Sequence, residues 1–285
     1  MSTNDRVLLV GHSPDPDDAF MFFGLAKGHV RIRDYAIEHC LEEIESLNRR
    51  AQRGELAVTA ISAHAYPAVA DRYWILPTGS SVGRGYGPIV VARSAATRES
   101  LAGKRVALPG AMTTAALLAR FYLPGAKFEH VPFDAVIPAV NDGAVDAGVL
   151  IHEGQITYAD HGLVKIADFG ELWAQEEGGL PIPLGLDVVR KDLGAPLARE
   201  INTALRESIR YAMAHKDAAI AYALEFGRGI PAKIGERFVG MYVNDDTLDL
   251  PADGRRALDR LYARGIAAGA LPAGARAEFV PDAEA

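Results

Sequence analysis

"PTGSSVGRGYGPIVVAR", residues 77–93, breaks an otherwise regular alternation of strand-like and helix-like segments. Gly79, Gly83, Gly85 and Gly87 crowd it, so the chain is an irregular loop until Ile89, where an extended apolar segment runs to Ala92. One βα series precedes this stretch and a second follows it. A similar Gly/Pro-punctuated stretch, "GLPIPLGLDVVR" at residues 179–190, turns the chain back after the second series. Two βα series joined by two extended crossings predict an α/β protein with mainly parallel sheets, folded as two lobes with a ligand cleft between them. The expected lobes are 1–88 plus 187–285, larger and discontinuous, and 89–186, smaller and inserted. Two crossings of this kind can act as a hinge.

In the first series, Val7–Val10 reads as a short buried strand, followed by a helix carrying Phe20, Phe23 and Ala26 with Asp17 or Asp18 as its cap. Tyr35–Leu41 reads as a strand. Ile44, Leu47 and Ala51 then recur at helical spacing until Gly54, and Ala57–Ile61 leads straight into Ser62 and His64. In the second series, the strand Arg105–Leu108 precedes a helix opened by Thr113-Thr114. Phe128–Val131 is a strand, Phe133–Val140 a short helix, and Val145–Ile151 a strand that delivers His152-Glu153. Beyond residue 195 the pattern is helical, with Ile201, Leu205, Ile209 and Ala212 on one face and Leu258, Leu261 and Ile266 on another helix. The last dozen residues read as frayed.

The 285 residues are 49% apolar and 24% charged, the balance of a globular protein large enough for two domains. Thirty basic against thirty-seven acidic residues leave a net charge of −7, which offers no general attraction to nucleic acid or an anionic membrane. Neither is an expected partner. Cys40, the single cysteine, excludes internal disulfides and multi-cysteine motifs. The opening MSTNDRVLLVG lacks the layout of a signal peptide, and no apolar run is long enough to span a bilayer. The expectation is a cytoplasmic protein, monomer or homodimer, without a membrane anchor.

Polar clusters fall where the predicted strands end. They are His12-Ser13 with Asp15, Asp17 and Asp18; Ser62 and His64; Ser80-Ser81 with Arg84; Thr113-Thr114; and His152-Glu153. Backbone N–H groups, threonine hydroxyls and the helix dipole at Thr113-Thr114 can together hold a carboxylate; the plainer reading is a threonine N-cap. The loop lacks the lysine and spacing of a nucleotide P-loop. His152, at the end of an almost continuously apolar strand, can serve as general base or acid, or simply pair with a neighbour. His12, Asp15, Asp17 and His152 include metal-ligand types but show no paired metal-binding spacing, so no metal is expected. No G-x-S-x-G elbow or dinucleotide fingerprint appears. Arg84 can clamp an acid or brace its loop, and the second role fits slightly better.

Across nearly its whole length the chain resembles the 1,4-dihydroxy-6-naphthoate synthases of the futalosine route to menaquinone. The resemblance rests on "SPDPDDAFMFFGLAKG", "IESLNRRAQRGE", "SVGRGYGPIVVAR", "LPGAMTTAALLARFY", "GAVDAGVLIHEGQITYADHGL" and "LPIPLG", in that order. It implies a two-lobed fold of the periplasmic binding protein type II kind. It also implies a cofactor-independent lyase that fragments cyclic dehypoxanthine futalosine and releases its sugar-derived carbons. His152 is then the general base, and Thr113, Thr114 and Ser62 line the ligand cleft. Ser13, Asp17, Ser80 and Ser81 complete the expected set for a small carboxylated substrate. The family's first loop often reads S-P-C-P-N-D, whereas Asp15 and Asp17 put carboxylates at its two variable places. Chorismate dehydratase of the same pathway and a non-enzymatic binding protein for a small carboxylate are the alternatives.

Overall fold

A computed structural model of the chain describes residues 6–226 and 231–283. Packing divides the chain into two compact units: Met1–Ser81 with Gly185–Pro251 and Arg276–Ala285, and Val82–Leu184 with Ala252–Ala275. Among the described residues no helix is long and apolar enough to cross a membrane.

In the first unit the strands lie in the order Tyr35–Leu41, Arg6–His12, Val58–Ser62, Ile182–Arg190, Tyr73–Ile75. The first three are parallel; Ile182–Arg190 runs antiparallel to Val58–Ser62, and Tyr73–Ile75 antiparallel to Ile182–Arg190. The helix Pro16–Ala26 buries every residue but its last. It starts earlier than the sequence pattern indicates: Asp15 is the N-cap and Pro16 follows, while Asp17 and Asp18 lie in the first turn. Proline's fixed φ and missing N–H suit that first helical position. Gly24 is the crossing point with the helix Ala195–Ala214, since a Cβ there would lie 2.9 Å from the Ser208 Cα. Ser208 Oγ donates to Met21 O (2.7 Å) and accepts from Leu25 N (3.2 Å), so the two helices also share hydrogen bonds. The helix Ile44–Arg53 ends where expected, at Gly54 with φ +69°.

In the second unit the order is Val164–Asp168, Ile89–Ala92, Ala147–Leu150, Arg105–Pro109, Lys127–Val131. Here Ile89–Ala92 alone runs against the other four: it opposes Ala147–Leu150, and Val164–Asp168 opposes it in turn and so runs with the rest. Both sheets are therefore mixed, with most strands running one way and one crossing strand in each, Ile182–Arg190 or Ile89–Ala92, running against them. Strand-forming segments carry no mark of direction, and the extended crossings enter the sheets reversed. The core includes Ile89, Val91, Ala107, Val136, Val140 and Leu150. Gly148 lets the helix Val136–Asn141 press close, since a Cβ there would lie 2.5 Å from Val136 Cγ1.

The helix Ala252–Ala267, expected with the first lobe, packs in the second unit. Arg264 Nη1 reaches Glu176 (2.8 Å) and Glu177 (3.0 Å), and its guanidinium lies over the rings of Phe121, Tyr122 and Trp173. Arg260 Nε adds a second contact to Glu177 at 2.6 Å. The tail, expected to fray, is fastened in the first unit. Ile75 N donates to Glu278 O (2.8 Å), Val280 N to Ile75 O (2.9 Å) and Tyr66 Oη to Glu278 O (2.9 Å).

Candidate functional site

In α/β sheets, ligand-binding residues gather beyond the carboxyl ends of parallel strands. In the second unit three neighbouring parallel strands end on one edge. Ala147–Leu150 delivers His152, Arg105–Pro109 delivers Gly110 and the Thr113 cap, and Lys127–Val131 delivers Pro132 and Phe133.

His152 is half-buried with φ +53°, and among the described non-glycine residues it shares a positive φ with Asp34 alone. That conformation costs about 1 kcal/mol or more, which a glycine would avoid. The backbone is held there because the His152 carbonyl accepts from Gln155 N (3.1 Å). Its ring stands edge-to-face with Phe133, centroids 5.1 Å apart and planes at 82°.

Thr113 caps the helix Thr114–Tyr122, its Oγ1 accepting from Ala116 N (3.2 Å) and donating to Gly110 O (3.4 Å). Thr114 Oγ1 donates to Leu184 O (2.7 Å). Both hydroxyls thus bond the backbone, and what a helix start of this kind can offer an anion is its first N–H groups and its dipole. His130 Nδ1 braces the same loop from Gly110 O (3.2 Å), a role the sequence gives no sign of.

In the first unit, four predicted residues meet at one helix start. Ser13 N donates to Asp18 Oδ2 (2.7 Å), and Asp15 N donates to Ser13 Oγ (3.2 Å). Asp17 is buried with Oδ1 unpartnered, and burial together with Asp18 and Asp15 pushes its carboxyl well above the usual range. Ser62 is gripped by Asn48, which accepts from Ser62 N (2.8 Å) and donates to Ser62 Oγ (3.1 Å). Asn48 has no exposed surface and was not singled out from sequence, although it lies within the IESLN motif. Ser62 pairs in register with Gly185, where a Cβ would lie 3.5 Å from Ser81 Cβ.

Ser80 is fully buried with its hydroxyl unpartnered. It follows Gly79, against which Asp187 packs so closely that a Cβ at 79 would meet Asp187 Oδ2 at 2.0 Å. Asp187 is 1% exposed and neither carboxyl oxygen has a partner. Burial and the charge of Asp18 push it well above the usual carboxyl range. The sequence shows Asp187 only as one residue of an extended stretch.

His12 belongs to the core. It stacks on Phe22 at 4.5 Å and 7°, with Nδ1 3.0 Å from Ser13 O and Nε2 3.1 Å from His39 Nδ1. A carbonyl only accepts, so Nδ1 carries the proton of neutral His12 and Nε2 accepts from His39. Burial, then the neighbouring His39, lowers the His12 pKa to about 4. Arg84 braces its loop by pairing with Asp253 at 2.9 Å. Among the described residues no three His, Cys, Asp or Glu side chains converge as a metal-ligand set.

Residues 8–267 match the family described as Menaquinone biosynthesis. The chain is 41% identical over 275 residues to a 1,4-dihydroxy-6-naphthoate synthase of Thermus thermophilus, covering 96% of this chain and 100% of that one. It is 40% identical over 272 residues to the synthase of the same name from Streptomyces coelicolor, covering 93% and 95%. A crystal structure of an Archaeoglobus fulgidus protein is 47% identical and superposes with a TM-score of 0.89, covering 93% and 99%. The alkanesulfonate-binding protein of Xanthomonas axonopodis pv. citri superposes at 0.72 with 15% identity, covering 93% and 94%, and shares the fold alone. The fold is that of the periplasmic binding proteins, and the chain belongs to the Menaquinone biosynthesis family, alongside the 1,4-dihydroxy-6-naphthoate synthases it matches from end to end.

Proposed function

We propose that this chain is a 1,4-dihydroxy-6-naphthoate synthase, a lyase that fragments cyclic dehypoxanthine futalosine without a cofactor. His152 is its general base. The observation that carries the assignment is the backbone of His152: the chain accepts a left-handed φ at a histidine where glycine would be unstrained. Such strain is retained where the side chain is needed. A strand end on a rigid sheet suits a base that must meet a proton at hydrogen-bond distance.

The first N–H groups of the helix Thr114–Tyr122 hold the substrate carboxylate, with Thr113 and Thr114 fixing their direction. Ser13, Asp17, Ser62, Ser80 and Ser81 contribute ligand contacts, and Asn48 fixes Ser62. The upward shift of Asp17 supports its place in a site for an acid, because a protonated carboxyl donates a hydrogen bond and repels no anion.

Purified protein is offered cyclic dehypoxanthine futalosine and chorismate in parallel, and turnover of the first alone is expected. Turnover of chorismate alone identifies a dehydratase; tight binding of a small carboxylate with no turnover identifies a binding protein. His152→Asn is expected to lower kcat by roughly 10²–10⁴-fold, the usual contribution of a general base, while the thermal midpoint holds. Near-normal kcat in the folded variant removes His152 from that role.

A further inference from the structure

We propose that Phe133 is the positioning residue of His152: its ring selects the imidazole orientation from which the proton is taken. The inference rests on the role given to His152 above. His152 is anchored at its backbone by the turn to Gln155, but a turn leaves the side-chain torsions free to rotate. A half-buried imidazole without a wall beside it would sample several rotamers, and only some face a substrate. Phe133 supplies that wall at 5.1 Å and 82°, the edge-to-face arrangement that aromatic pairs favour over a parallel sandwich.

Phe133 is itself placed by rigid parts. It follows the strand Lys127–Val131, paired in register with Arg105–Pro109 over five residues. Pro132, at φ −54°, sets the angle at which the chain leaves that strand. Phe133 then opens the short 3₁₀ turn Phe133–Ala135, continued by the helix Val136–Asn141 whose Val136 and Val140 are core residues. The ring facing the base is thus carried on the same sheet that carries the base. An aromatic wall held this way fixes direction without adding a charge.

The test compares Phe133→Leu, Phe133→Ala and Phe133→Tyr in the full chain. With cyclic dehypoxanthine futalosine, Leu and Ala are expected to lower kcat by about 10–100-fold with KM within about two-fold, because orientation affects the transition state more than binding. Tyr, which keeps the ring, is expected to restore most of kcat. A folded Leu variant with kcat within two-fold of the parent overturns the proposal, as does a loss spread equally over kcat and KM. Should Ala fail to fold, the Leu and Tyr pair decides alone. Histidine-labelled protein gives a second reading by NMR. The His152 ring resonance, identified by its disappearance in His152→Asn, is expected to shift in Leu and stay near its parent position in Tyr. An unmoved resonance in Leu also overturns the proposal. Failure of the base role shows separately, as retained turnover in His152→Asn.

Discussion

Asp187 and His12 are both buried in the first unit, and they pull its stability in opposite directions as pH changes. Neutral His12 has its pKa lowered from 6.5 to about 4, so the unfolded chain binds more protons between those values. Its contribution is therefore full above about 6.5 and is lost as pH falls toward about 4, on the order of 3 kcal/mol in all. Asp187 is raised above 3.8, so above that value the folded state holds the extra proton and stability falls as pH rises. Asp187→Asn removes the second effect. Thermal melts between pH 4 and 7 are expected to show a higher midpoint for the variant at pH 7, with the difference shrinking toward pH 4. A constant offset across that range rules out the ionisation of Asp187 as the cause. Of these groups the sequence marked His12 as a site candidate, because a histidine at a strand end looks the same whether its ring meets solvent or Phe22 and His39. Asp187, Asn48 and Phe133 escaped notice for a related reason: their partners lie far away along the chain. The strand-end place of His152 was legible because a polar residue closing an apolar strand is a local signal.

At the scale of elements, the helix Ala252–Ala267 shows the same division. Its periodicity is plain in the sequence, but its docking partner is not, since Arg264 meets residues 87 and 88 positions upstream. Arg264 joins two carboxylates to a three-ring aromatic surface, and the Glu177 side chain beneath it is 7% exposed. Arg264→Ala leaves Glu177 with Arg260 alone and is expected to cost roughly 2–4 kcal/mol, read by denaturant unfolding. Arg264→Lys is expected to recover only part, since an ammonium keeps the charge but loses the planar stack and second contact. Full recovery by lysine assigns the stability to charge alone. The strands Tyr73–Ile75 and Val164–Asp168 were missed because short segments carry too little periodicity to stand out.

For the whole molecule, the alternation of patterns and the two Gly/Pro-rich stretches carried the fold class. The sequence does not report strand direction or the course of the tail. Glu278 and Val280 look like ordinary terminal residues, yet their backbone completes the pairing of Ile75. Ending the chain at Ala275 exposes that strand and the hydroxyl of Tyr66, which donates to Glu278 O. The truncated protein is expected to melt several degrees lower, with ligand-independent loss of amide protection around Ile75 by hydrogen exchange. An unchanged midpoint makes the tail a passive cover.

The reversal of Ile89–Ala92 has one more consequence. Ile89 stands opposite Leu150, so this strand begins where its neighbour finishes. The glycine-rich residues 83–88 are therefore brought to the edge that bears His152, some sixty positions later in the chain. A sheet whose strands all ran one way would offer that edge only segments leaving its strands. By admitting one strand backwards, this sheet also offers an arriving segment, and so draws on a stretch of sequence that a uniform direction would have sent to the opposite rim.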